Sequence, residues 1–96
     1  MIEKAYASDG QGCQVTFVLP GELQAQHACI CGEFTDWRPQ VMKRTKEGKF
    51  TAAFTLPAQR AHQFRYLVNE TEWHNDWHAD AYVPNPFGSE NSVVNT

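Results

Sequence analysis

Four large rings stand apart from the regular apolar alternation of the chain: Trp37 in GEFTDW, Trp73 in NETEW, then Trp77 and Phe87. An indole is flat and largely apolar, and its face suits the C–H face of a pyranose ring while its N–H supplies a polar handle. Binding residues also concentrate on loops carried by a rigid scaffold. Any one of these rings could instead cap an end of the core. Two or more tryptophans in separate loops favour a binding surface.

A second set, His74, Asp76, His78 and Asp80, alternates, so an extended segment would project four potential metal ligands to one side. The tight Cys/His spacing of structural zinc sites is missing, however, and no cysteine lies near in sequence, so no metal is expected. Asp76 and Asp80 are expected to accept hydrogen bonds from loop N–H groups. No GxSxG, HExxH or glycine-rich phosphate loop occurs. Cys13, Cys29 and Cys31 lie in strand-like contexts with no basic neighbour to activate a thiolate. Glu70 and Glu72 would need a cleft between them to act as a glycosidase pair, and are read as solvated surface. The expectation is a protein that is not an enzyme and takes no cofactor.

The scaffold that must hold these residues shows a hydrophobic period of two and no sustained 3.6 period, which predicts an all-β domain. Ile2, Lys4 and Tyr6 suggest a lead strand, ended by the turn-prone Ser8, Asp9, Gly10 and Gly12. Val15, Phe17 and Leu19 alternate with Gln14, Thr16 and Val18 up to a stop at Pro20 and Gly21. In His27–Gly32 either Ala28 and Ile30 or Cys29 and Cys31 face inward, with the first pair favoured. Phe50, Ala52, Phe54 and Leu56 line one face of a long strand closed by Pro57, and Phe64, Tyr66 and Val68 line the next. These two strands are expected to be adjacent and antiparallel. From Asn69 to Ser89 the chain is loop-rich, with Pro84, Pro86 and Gly88 breaking any regular element until a last short strand at Ser92–Val94. Short strands with turn signals roughly every 10 residues suggest an immunoglobulin-like antiparallel β-sandwich.

With 96 residues, 42% of them hydrophobic, the chain fits one domain over 1–96, residues 1–12 forming the lead strand and turn. A net charge of -3 gives no cationic field for a phosphate backbone or an anionic bilayer, so neither nucleic acid nor membrane is an expected partner. No apolar run approaches the roughly 20 residues of a membrane span, and MIEKAYASDG lacks the apolar stretch of a signal peptide. The 3 cysteines are an odd number, unlike a secreted disulfide framework, so reduced thiols and a cytoplasmic location are expected.

GEFTDW, Met42, GKF, LP, FRYLVNETEW and NPFGSENSVV, in this order from about Val15 onward, resemble the glycogen-binding domain of the AMP-activated protein kinase β subunit. They also resemble the early-set domain at the N-terminus of isoamylases and branching enzymes, and above all small stand-alone bacterial proteins of this type. The resemblance implies a non-catalytic carbohydrate-binding module with a shallow α-glucan site. It places Trp37 and Trp73 at two rings that stack on sugar, and Arg65 where the family has a lysine bonding hydroxyls. It makes Phe87 the apolar residue that reaches into the sugar ring, and Ser89 and Asn91 a hydroxyl and an amide contact. Thr35 stands where the family often has Asn, and Trp77 and His78 where it has a Pro-Glu pair. The residues themselves agree at two points. Arg65 falls on the outward phase of its strand, where its donors can reach a ligand. FGSEN sets a glycine beside polar groups, as a loop that grips hydroxyls requires. Early-set folds also dock onto enzymes, so the alternative reading is an interaction module that docks onto or regulates a glycogen-metabolising enzyme.

Overall fold

Cys13, Val15, Phe17 and Leu19 are buried while the residues between them are not, so this segment is a strand with one face on the core. The computed structural model describes residues 2–19 and 25–96. The turn expected at Pro20 and Gly21 lies outside the described residues. In chain order the strands are β1 (Ile2–Tyr6), β2 (Gly12–Leu19), β3 (Ala28–Gly32), β4 (Gln40–Val41), β5 (Lys43–Arg44), β6 (Phe50–Pro57), β7 (Ala61–Val68), β8 (Glu72–His74), β9 (Ala81–Pro84) and β10 (Glu90–Asn95). A 3-10 turn covers Glu33–Thr35. No helix of the described residues is long and apolar enough to cross a membrane.

The strands form two antiparallel sheets, one in the order β1-β2-β6-β5 and the other β4-β3-β7-β10-β9 with β8 also beside β7. They pack as an immunoglobulin-like, early-set sandwich, as expected. The lead strand is present: β1 pairs with β2 from Ile2↔Phe17 to Tyr6↔Cys13, and Gly10 takes a left-handed φ of 71° in the turn between them. Phe17 lies at the centre of the core, its ring 4.8 Å from Phe64 and 5.5 Å from Phe34. Ala28 and Ile30 face this interior, as favoured from sequence, and Cys31 on the other phase of β3 is buried as well. Met42 is buried where the chain passes from β4 in one sheet to β5 in the other.

Two expectations are corrected. β6 and β7 are consecutive but do not pair: β6 lies between β2 and β5, whereas β7 lies in the opposite sheet against β3 and β10. The short connection is a corner between sheets, not a hairpin. Ala58 still donates to Gln11 O in the first sheet, and Gln59 turns with φ 59°. The Thr96 hydroxyl contacts the Pro57 and Arg60 carbonyl oxygens at 2.6 and 3.1 Å, which straps the corner. The segment Asn69–Ser89 is also not all loop, because β8 and β9 lie within it. They were hidden because strands of 3 and 4 residues are too short to display a period.

Candidate functional site

The outer face of β7 carries Gln63, Arg65 and Leu67, the residues that alternate with buried His62, Phe64, Tyr66 and Val68. Along one edge of β7, β10 pairs with Ala61–Phe64 and β8 with Tyr66–Val68, so Arg65 falls at the junction of the two neighbours. Trp73 stands opposite Leu67 on β8, which places it on a strand and not in the loop expected. Its ring is 49% exposed, and the Arg65 guanidinium carbon lies 5.7 Å from the ring centroid, within cation–π range. Arg65 Nε is buried without a hydrogen-bond partner, and no ion pair holds its charge among the described residues.

The GEFTDW segment is explained residue by residue. A Cβ at Gly32 would lie 2.8 Å from Gln63 O and 2.8 Å from the Phe34 ring, so only glycine fits. The Glu33 carboxylate accepts the Gln63 N–H at 2.7 Å, taking over the pairing that β3 abandons when it ends. Phe34 packs into the core. Thr35 Oγ1 accepts the Gly32 N–H at 3.0 Å and closes the turn. Asp36 and Trp37 then both adopt left-handed backbone, φ 54° and 58°. For tryptophan this conformation costs about 1–2 kcal/mol, and the Trp37 N–H to Gly32 O bond of 2.9 Å helps to hold it. The result is an indole 43% exposed. Strain of this kind persists only where the surroundings sustain it.

The third segment is the β9–β10 tip. Asn85 Oδ1 accepts the N–H groups of Phe87 and Ser89 at 3.0 and 3.1 Å, while the Asn85 N–H donates to Ser89 O at 2.9 Å. Gly88 supplies φ 80°. Phe87 is left 91% exposed at the tip, and Ser89 is exposed beside it. Asn91 is different, being buried with its amide engaged at both ends. Its oxygen accepts from Asn85 Nδ2 at 3.1 Å, and its Nδ2 donates to Gln63 Oε1 at 3.0 Å.

Gln63 is therefore the joint of the surface. Its N–H is bound to the Trp37 turn through Glu33, its side chain to the Phe87 tip through Asn91, and it lies two residues from the Arg65–Trp73 pair. Arg65 and Trp73 are in direct contact, whereas Trp37, Phe87 and Ser89 are tied to that pair only through these connections. Sequence reading passed over Gln63 and Asn85. The Asn-Pro step at 85–86 was the available signal for the second, and the outward phase shared with Arg65 for the first.

The four alternating residues do not gather. Extended structure stops at His74, Asp76 turns inward, and Asp80 contacts Lys4 Nζ at 2.7 Å; the described residues contain no group of three or more ligands able to hold a metal ion. As expected, Asp76 accepts a loop N–H, that of His78, at 2.7 Å, whereas Asp80 accepts the N–H of Asn95, the last residue of β10, at 2.7 Å. Asp76 Oδ2 also accepts the Tyr66 hydroxyl at 2.7 Å, and the Asp76 N–H donates to Ser92 Oγ at 2.9 Å. Burial, then the Asp76 charge and hydrogen bond, push Tyr66 ionisation far above its ordinary range. Burial likewise raises the Cys29 and Cys31 thiols, the first helped by Glu70 and the second by Cys29. Neither is a ready nucleophile.

A sequence profile of the family described as the glycogen recognition site of AMP-activated protein kinase matches residues 14–96. No curated protein sequence matches the chain. Among solved structures, the enterobactin esterase of Shigella flexneri superposes with a TM-score of 0.77 at 14% identity, over 98% of this chain and 32% of that one. The enterochelin esterase of the same organism gives 0.75 at 15% identity, over 98% and 32%. The ferric enterobactin esterase of Salmonella typhimurium gives 0.57 at 18%, over 92% and 24%. At such identities the likeness is one of fold, and the chain spans about a third or less of these esterases.

Proposed function

This chain belongs to the family of the glycogen recognition site of AMP-activated protein kinase, and from that premise we propose that it binds α-1,4-linked glucan without catalysis or cofactor. The observation that carries the reading is the surface joined at Gln63, with the half-exposed Trp73 under a guanidinium whose Nε has no acceptor among the described residues. Trp37 and Trp73 stack on sugar C–H faces. Arg65 turns its terminal guanidinium donors to hydroxyl oxygens. Phe87 enters the concave side of a coiled chain, Ser89 offers its exposed hydroxyl, and Asn91 sets the tip in place and contributes its remaining N–H. The raised thiols of Cys29 and Cys31 and the unpaired Cys13 fit a reducing, cytoplasmic setting.

A coiled α-glucan matches rings set on separate segments, whereas the straight ribbon of cellulose matches coplanar rings. Maltoheptaose or glycogen, but not a cello-oligosaccharide of equal length, is therefore expected to shift the amide signals of Trp37, Arg65, Trp73 and Asn91. Indifference to every α-glucan at millimolar concentration would falsify this reading. A second reading, docking onto a glycogen-metabolising enzyme, is favoured by one observation: in the esterases the same fold makes up about a third or less of a longer enzyme chain. Co-purification with such an enzyme, unaffected by glucan, would support it.

A further inference from the structure

The turn from Asn75 to His78 takes no part in the surface described above, yet it holds an indole in solvent on a stiff support. Trp77 is 58% exposed. Its neighbour Asp76 is buried and held by Tyr66, Ser92 and His78. Asn75 is fixed from both sides, accepting from Ser92 Oγ at 2.9 Å and donating to Glu90 O at 3.0 Å. The Tyr82 hydroxyl donates to the Asp76 carbonyl, the peptide unit that continues into Trp77. The phenol thereby braces the turn, while Tyr82 itself remains exposed.

The location matters as much as the exposure. Tyr82 stands opposite Ser92, which stands opposite Phe64, so Tyr82 is on the inward phase of its sheet. Trp73 and Leu67 are on the outward phase. An inward-phase ring that still meets solvent lies where the other sheet does not reach. Tyr82 and Trp73 therefore belong to opposite faces of one sheet, and the Tyr82 hydroxyl ties the Trp77 turn to the Tyr82 side.

We propose that Trp77 and Tyr82 form a second glucan platform, separate from the Trp37, Arg65 and Trp73 surface. It takes the same ligand class and so rests on the glucan reading. A protein-docking core would need contiguous apolar area with few charges. Trp77 instead is followed at once by the exposed His78, with Asp80 and Tyr82 exposed just beyond it, so an apolar face has polar neighbours, which is the pattern of a pyranose ring. Because the turn is already fixed, little ordering cost opposes binding. Platforms on opposite faces do not both engage one short oligosaccharide. On a branched polymer the second contact becomes intramolecular and raises retention without any new contact at the first.

The test is a titration of the wild-type protein with maltoheptaose, followed by the indole N–H signals of the tryptophans and the backbone amide signal of Tyr82, and native electrophoresis through glycogen. Trp77 and Tyr82 signals should move with their own saturation, distinct from those of Trp37 and Trp73. Trp77→Ala should abolish that second set alone and weaken glycogen retention by roughly tenfold. A Trp77 signal that stays still at saturation of the Trp37 and Trp73 set would overturn the second platform and leave the first intact. Movement of the Trp77 set alone would support the platform while removing the first surface. Stillness of both would sink the two together. The wild-type titration decides the matter even if the variant fails to fold.

Discussion

Along β7, Phe64 and Tyr66 look into the sandwich while Arg65 and Leu67 look away from it, and the polar groups on the two sides are satisfied differently. Inside, the Tyr66 hydroxyl has the Asp76 carboxylate, and the Asp76 N–H has Ser92. Outside, Arg65 Nε has no acceptor, and the guanidinium rests on a half-exposed indole. Buried polar groups are nearly always paired, and the exceptions tend to carry functional meaning. On this strand the completed side is the one expected to carry stability, and the incomplete side is the one proposed to bind.

The division is broken most directly at Phe64, whose ring meets both Phe17 and Tyr66. Phe64→Ala should cost about 3–5 kcal/mol in urea unfolding, and a loss below about 1 kcal/mol would mean that the inner face is not the stabilising one. Asp76→Ala should cost about 3 kcal/mol, because it strands the Tyr66 hydroxyl and the His78 N–H. The same pair predicts an alkaline limb. Tyr66 ionises far higher in the fold than in the unfolded chain, so its contribution is complete below the usual value of 10.0 and declines as pH rises above it. Tyr66→Phe should flatten that limb in a pH series of unfolding curves.

On the outer face the expectation reverses. Trp73→Ala should weaken glucan binding by about 2 kcal/mol, roughly 30-fold, in calorimetry, while unfolding shifts by no more than about 1 kcal/mol. Equal losses of stability and binding would erase the distinction between the faces. The smallest effect belongs to Lys4 and Asp80. Asp80 feels some burial, but the Lys4 hydrogen bond, the Asn95 N–H and the Lys4 charge together hold its carboxyl below the usual 3.8. Its contribution is full above that value and disappears as pH falls through the lowered one. Being partly exposed, the pair should be worth less than about 1 kcal/mol, visible as a shallower acid limb in Asp80→Asn.

The inner face was the readable one. The alternation in Val15–Leu19 and Phe64–Val68 is a consequence of one-sided burial, so the sandwich and most of its core follow from it. Sheet membership does not follow, since three residues between strands suit a hairpin and a corner alike. Only Gln59 with its positive φ and the Thr96 strap decide for the corner. The outer face was legible as residue types, Trp37, Arg65 and Trp73, but the means of joining them was not. Gln63, Glu33 and Asn85 act through hydrogen bonds between distant segments, and such bonds leave no period. Asn91 illustrates the limit, since an amide suited to a sugar hydroxyl is, in the fold, mostly occupied by two other side chains.

The place of β10 bears on how the chain is made. Glu90–Asn95 lies between β7 and β9, with Ser92, Val93 and Val94 buried, although it is the last strand in sequence. A strand at a sheet's rim could be added to a finished body, but this one completes the interior. During synthesis the earlier segments emerge while the partner of Ala61–Phe64 is still missing, so that part of the β7 edge stays open until residue 95 has cleared the ribosome. Closure is then a late, long-range event, and the interval before it is when the nascent chain depends most on protection from aggregation.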